Sequence, residues 1–321
     1  MPVGALAHFG YAEESAAAPG TLVAISRFFD PTSADIDDQF PREAIPTMRE
    51  DRAQIRSVSK ITEVKGNWSA PLYYNALPFF MKMALGDVVS AVQGATAAYL
   101  HTFDGTKVLP SFSTEVAYDT AGAKQAAGCK VDKLSIAAKA GEHAEASCDF
   151  LGLSTYKNAA AVVAGLPADD NLAVFSHAVV KFDAVSNLEV ISMELAVENN
   201  LEAINTLNGT AFSTRIAEGV RAITCGLEMD FLDQAMYDYS RNATKVAVML
   251  EFTSPVLAAV GYPYKMTFDL PNVKFANVSA PVEADGIISQ KLDTVPLFDS
   301  VAGYDTQWKV WNTDTGYADV A

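Results

Sequence analysis

At 321 residues, half of them apolar, the chain is long enough to bury a large core in one to three domains. Its 23 basic against 39 acidic residues, a net charge of −16, exclude a protein that grips nucleic acid through clustered lysine and arginine. No apolar run approaches the roughly 18 residues of a membrane-spanning helix, so no membrane role is expected. Cys129, Cys148 and Cys225 form no CxxC pair and no disulfide framework. All three fall in strand-like segments and are expected as buried, reduced thiols, in a chain made in a reducing cytoplasm because no secretion signal opens it.

In chain order, residues 1–57 read as an irregular N-terminal region with one short strand at 21–29, interrupted by Pro31, Pro41 and Pro46. Charge changes sharply here. Acids dominate up to residue 41, whereas 42–65 carry Arg42, Arg49, Arg52, Arg56, Lys60 and Lys65 against four acids. Such a basic segment on an acidic protein suits docking onto a neighbouring copy, and a solvated loop of mixed charge accounts for it equally well. Residues 58–154 read as a first β unit. It holds a helix at 75–85, with Asn75 as N-cap, Pro78 in the first turn, an apolar stripe of Leu77, Phe80, Met81, Ala84 and Leu85, and Gly86 as C-cap.

Within that unit, residues 109–154 form a meander. Phe112, Val116 and Tyr118 alternate with Ser111, Ser113 and Glu115, then Leu134 and Ile136 with Lys133 and Ser135, and finally Ala146, Cys148 and Phe150 with Glu145, Ser147 and Asp149. Gly141 supplies the positive φ of the last hairpin, and one face of the meander is expected in a core and the other in water. Residues 155–171 read as a connection and 172–297 as a second β unit. Its strands are centred on 178–182, 191–197, 223–231, 245–252, 264–270, 273–278 and 287–295, with a loop at 199–219 and a short helix at 232–241. The order strand, short helix, strand and further strands repeats that of 61–153, a repeat of element order and not of letters, which suggests duplication. Residues 298–321, with Trp308, Trp311 and Tyr317, read as a C-terminal arm seeking a partner surface.

No nucleophile elbow, HExxH, P-loop, GxGxxG or EF-hand loop is present, so neither catalysis nor a cofactor or metal is expected. The run Asn312–Gly316 places its glycine one position too early for calcium. His8, His101, His143 and His177 share no ligand spacing. The adjacent acid pairs Asp37-Asp38 and Asp169-Asp170 make poor glycosidase pairs.

The helix ending at Gly86, Tyr99-Leu100-His101-Thr102-Phe103, Leu109 to Asp119, Gly128-Cys129-Lys130-Val131, Asp149-Phe150-Leu151-Gly152 and Glu198-Asn199-Asn200-Leu201 together resemble the tail tube proteins of long-tailed bacteriophages over about residues 55–297. The resemblance implies a mainly β fold of sandwich or barrel units with short flanking helices, here two in tandem. It implies a non-enzymatic virion subunit, assembled in the host cytoplasm into stacked rings whose channel carries DNA without binding it. Trimeric rings of duplicated units are favoured over hexamers, with a tape measure protein and a tail terminator as partners. Arg42, Arg49, Arg52, Arg56, Trp308 and Trp311 are the candidates for contacts between copies. The alternative is a β-sandwich adhesin or carbohydrate-binding module whose exposed Trp308, Trp311 and Tyr317 stack on sugars.

Overall fold

The structure is a computed structural model that describes residues 3–47, 54, 56–158, 161–166, 171–207, 209–282, 288–315 and 317. It is mainly β, as expected. Its elements are β1 (His8–Glu13), β2 (Arg27–Phe29), β3 (Ser33–Gln39), β4 (Arg42–Ala44), β5 (Ser57–Ser59), β6 (Glu63–Pro71), α1 (Leu77–Leu85), β7 (Gly86–Val92), β8 (Tyr99–Gly105), β9 (Phe112–Ala117), β10 (Ala123–Lys139), β11 (Glu145–Gly152) and β12 (Ser154–Asn158). They continue with β13 (Ala178–Phe182), β14 (Val185–Asn187), β15 (Val190–Glu198), β16 (Glu202–Ile204), β17 (Arg215–Ala217), β18 (Ala222–Asp230), α2 (Ala235–Arg241), β19 (Val246–Ala259), β20 (Tyr262–Ser279), β21 (Ser289–Pro296) and β22 (Gln307–Asn312).

One antiparallel sheet organises the molecule, in the order β3-β6-β11-β10-β15-β18-β21-β20. The period-two sequences predicted such strands, and their apolar positions do share a face. Ile36, Val64, Trp68, Cys148, Phe150, Leu134, Ile136, Leu195, Val197, Cys225, Leu227 and Leu292 are buried, while the alternate side chains, the buried Ala196 apart, form a wetter opposite face. Two strands serve a second layer as well. The first half of β10 pairs with β9 and β12, β9 with β1, and β1 with β2. The first half of β20 lies between β19 and β22, and β22 pairs onward with β8.

Between the layers α1 is buried on every side, wider than the single stripe its spacing predicted. Phe79 and Phe80 meet Tyr11 at 4.5 and 4.9 Å, Phe80 meets Trp68 at 4.6 Å, and Phe112 closes the cluster. Ala76, and not Asn75, precedes the first turn, and Gly86 ends the helix at φ 107°, which its missing Cβ permits. Complete burial leaves Lys82 inside the protein, where its ammonium meets both oxygens of Glu13 at 2.7 and 3.0 Å. Beside it the buried Glu14 carboxylate accepts from the Ser111 and Ser113 hydroxyls and the Gly20 and Gly128 amides, at 2.7–2.8 Å. Ionised groups so placed are tolerable only with such complete pairing.

Several expectations need correction. The N-terminal region contributes strands β1 to β3, because Phe9, Tyr11 and Phe29 complete the aromatic core. β9 is not half wet. Ser113, Thr114 and Glu115 are fully buried, since β1 and β10 flank the strand and Glu115 accepts from Gln125 and the Val162 amide. The segments at 264–270 and 273–278 are one strand running through Pro271. Residues 199–219 carry the ribbon β16–β17. The C-terminal segment is no projecting arm, because β22 fills the place between β8 and β20.

The repeat is also closer than element order alone. The first four strands of the sheet (β3, β6, β11, β10) and the second four (β15, β18, β21, β20) visit their places in the same sequence order, each with a helix after the second strand. A bulge falls at Asp132 in β10 and at Ala276 in β20, against β11 and β21 respectively. Between the first two strands of each half sits a two-stranded ribbon, β4–β5 or β16–β17, in the same register. Letters repeat there too. Glu43-Ala44-Ile45, Thr47 and Arg56 recur as Glu202-Ala203-Ile204, Thr206 and Arg215, at the offset that separates Ile36 from Leu195.

Removing one partner of the buried pair tests the account of α1. Lys82→Met is expected to cost about 3–5 kcal/mol in urea unfolding, and adding Glu13→Gln to it is expected to recover much of that loss.

Candidate channel-lining face

Register alignment turns the wet side of the sheet into rows that cross it. One runs Asp35, Asn67, Asp149, Lys133, Glu198. The next holds Ser33, Ser69, Ser147, Ser135, Ala196 and Thr224, with Ser33 and Ser69 bonded at 2.7 Å and Ser135 and Ser147 at 3.2 Å. Another holds Glu145, Ala137, Glu194, Gly226, Asp293 and Asn277. A fourth holds Lys139, Ser192, Glu228, Lys291 and Ser279.

The chemistry of the face is uniform. It has no aromatic side chain, and no arginine occurs in any of the eight strands. Acids outnumber lysines, and several lysines are engaged: Lys65 with Glu63 at 3.0 Å, Lys133 with Glu198 at 2.7 Å, Lys130 with Glu218 at 2.5 Å. Burial raises the Asp149 carboxyl above its ordinary value, opposed by Lys133 and reinforced by Asp132. A cleft of about 750 Å³ opens on this face between Asp35, Asp149 and the overhanging Glu202 of β16.

Both ends of the sheet are open. Among the described residues no strand pairs with the far side of β3 or with the far side of 274–279 in β20. Inside the sheet the corresponding strands do meet, β10 with β15, from Lys133 opposite Glu198 to Lys139 opposite Ser192.

The contact candidates fall in different places. Arg42 and Arg56 are exposed at the β4–β5 ribbon, where Lys60 pairs with Glu43 at 2.8 Å, while Arg49 and Arg52 lie outside the described residues. Trp308 is fully buried against Phe268 at 5.2 Å and donates to Thr306 Oγ1 at 2.8 Å, so it is no surface contact. Trp311 is half-buried, with the Lys265 ammonium over its ring at 5.4 Å. Tyr317 is buried beneath Arg27, its hydroxyl donating to the Asn75 carbonyl. Burial of Trp308 and Tyr317 removes the aromatic platform on which sugar stacking depended. Asp314 is held by Arg27 at 2.8 Å and Asn312 by His101, so the calcium-like run is spent on structure. Among the described residues no cluster of three metal-ligating side chains occurs, and all three cysteines are free and buried.

The rows and open edges were not legible in the sequence. Alternation gave each strand its wet residues, but only the register says which of them stand side by side.

One polar, arginine-free face and two edges left unpaired among the described residues mark a mainly β protein whose surface chemistry is structural and not catalytic in kind. Residues 4–293 match the family of phage tail tube proteins, and the chain belongs to that family. It is thus a structural protein of the bacteriophage tail, a component of the virion. Among curated proteins none matches the chain.

The latch around the C-terminal segment titrates. His101 Nε2 donates toward Asn312 Oδ1 and the Asp314 carbonyl at 3.1 and 2.9 Å, while Nδ1 accepts from Ser90 at 2.7 Å. Burial lowers its pKa, against the raising effect of Asn312 and Asp314. A depressed folded pKa makes its contribution complete above about pH 6.5 and lost as pH falls below that. Thermal unfolding between pH 7 and pH 5 is expected to lose stability more steeply in the wild type than in His101→Gln.

Proposed function

We propose that copies of this chain join edge to edge into rings, and that the rings stack into the tube of the tail with the wet face lining a channel for DNA. The observation that carries this reading is the internal seam. β10 and β15 already join the two halves, and the open edges of β20 and β3 are the same two positions of the repeat. Strand directions agree as well, since an eight-strand antiparallel sheet ends in edges of opposite direction. A closed ring satisfies the edge amides and carbonyls that a monomer leaves to water.

The duplicated order favours three copies per ring, each supplying two units of the repeat, over six. On this reading the first tube-like unit takes in β3 and so begins before residue 58, and the second runs through 297. The β4–β5 ribbon with Arg42 and Arg56 serves the stacking of rings. A tape measure protein and a terminator complete the tail, assembly takes place in the host cytoplasm, and the subunit itself performs no catalysis. The lining suits passage of DNA, because an arginine-free acidic wall offers phosphates no bidentate partner.

Transferring the internal register places Asn277 of one copy opposite Gln39 of the next, as Lys133 stands opposite Glu198. A Gln39→Cys/Asn277→Cys chain is expected to form a disulfide ladder on oxidation, topped by a closed species whose mass counts the copies and which electron microscopy shows as a ring. Monomers alone, from a chain in which Lys133→Cys/Glu198→Cys does cross-link internally, would overturn the reading.

The lining is tested separately. Tubes with Asp35→Lys, Asp149→Lys, Glu194→Lys and Asp293→Lys are expected to retain duplex DNA at low salt and release it as salt rises, whereas wild-type tubes retain none.

A further inference from the structure

Phe40 stands 62 % exposed immediately after β3. Its place in the repeat explains why. The residue that follows β15 is Asn199, and it is 4 % exposed, because it locks the internal seam. Its side-chain amide donates to the carbonyls of Val131 on β10 and Ala84 in the last turn of α1, at 2.9 and 3.0 Å. Its backbone amide donates to the carbonyl of the bulged Asp132 at 2.7 Å. All three partners belong to the first half of the repeat, two on β10 and one on α1. Phe40 occupies the same position at the outer seam, and in a single chain the other half is missing.

The equivalent partners can be named from the second half. The bulge at Asp132 corresponds to that at Ala276, so Val131 corresponds to Phe275, and the last turn of α1 to that of α2. At this spot the ring of Tyr239, from α2, stacks on Phe275 at 6.4 Å with only 18° between the planes. Phe182 meets Phe275 edge-on at 6.3 Å. Tyr239 is 36 % exposed and Ala276 is exposed, whereas the Phe275 ring is itself 3 % exposed, so Tyr239 is the ring the shelf presents to a neighbour. Where the inner seam offers carbonyls to an asparagine, the outer one offers an aromatic shelf.

We infer that Phe40 of one copy inserts beside Tyr239 and Phe275 of the next, its backbone amide meeting the Ala276 carbonyl, as the anchor of the joint between copies. The inference rests on the edge-to-edge reading and deepens it. The occupant of the shelf is a second copy of this chain because the joint continues a seam the chain already contains. Aromatic pairs at such distances add attraction beyond the area they bury, and central aromatic anchors dominate interfaces of this kind.

The test uses the full chain. With p-benzoylphenylalanine in place of Phe40, irradiation of assembled protein is expected to link position 40 to the peptide carrying Tyr239 or Phe275 of another copy. Phe40→Ala is expected to raise the concentration needed for ring formation about tenfold or more, and Phe40→Tyr to restore it. Links confined to the same chain or to another surface, or a Phe40→Ala protein that assembles like the wild type while its Gln39→Cys/Asn277→Cys ladder forms, would overturn the anchor and leave the edge reading standing. Absence of that ladder in an otherwise unaltered chain strikes the edge reading itself.

Discussion

The backbone of a sheet edge must find partners, and this molecule is arranged around that constraint. Eight strands satisfy one another across seven pairings and leave two edges. A long, regular edge is a hazard for a soluble protein. One is guarded: Lys124 donates to the Ile36 carbonyl on β3 and pairs with Asp38. That contact gives β3 a charged neighbour while it is alone, and Thr155 adds a hydroxyl bond to Asp38 at 2.9 Å.

The rest of the fold holds the edges in place. β10 and β20 each run through both layers, so the sheet and its backing share covalent struts. α1 fills the first half with aromatic and aliphatic side chains, and β22 draws the C-terminal segment into the second. Both devices bring polar groups inside, Lys82 with Glu13 in one case and His101 with Asn312 in the other. Buried polar pairs of this kind add little net stability over apolar side chains of the same size, but unpaired alternatives are costly. Their presence is consistent with fixing where one strand sits against another, which a sheet that must meet its neighbour in register requires.

Local spacing carried most of the elements. The strands at β11, β15, β18 and β21 and the turn at Gly141 follow from alternation and one positive φ of 89°. What escaped has physical reasons. β9 alternates like a half-wet strand, yet it is covered on both sides, and Ser113 and Glu115 are buried because Glu14 and Val162 meet them from distant parts of the chain and Gln125 from the adjoining strand β10. The three-residue strands β4, β5, β14, β16 and β17 are too short to show a period. Trp308 and Tyr317 lie in an acidic, loop-like tail, and nothing local distinguishes an aromatic that needs a partner copy from one that completes its own core. The duplicated ribbon escaped because its matching letters are few, and only the shared register of β4–β5 and β16–β17 shows that they align.

The two seams also differ in a way their physical circumstances account for. The inner seam joins strands of one chain, so closing it costs only loop entropy, and hydrogen bonds from a single asparagine to carbonyls suffice to fix the register. The proposed outer seam joins separate molecules and must offset lost translational and rotational freedom as well. Main-chain pairing contributes little net free energy, because water serves the same groups in the monomer. Removal of apolar surface from water does contribute, and Phe40 with Tyr239 brings that term to the outer seam. A phenylalanine at the inner seam would gain less, since that joint forms regardless, whereas an asparagine at the outer one would leave the association to backbone bonds. On the proposed reading, Asn199 at the inner seam and Phe40 at the equivalent outer position distinguish a joint made once, on folding, from one made on assembly.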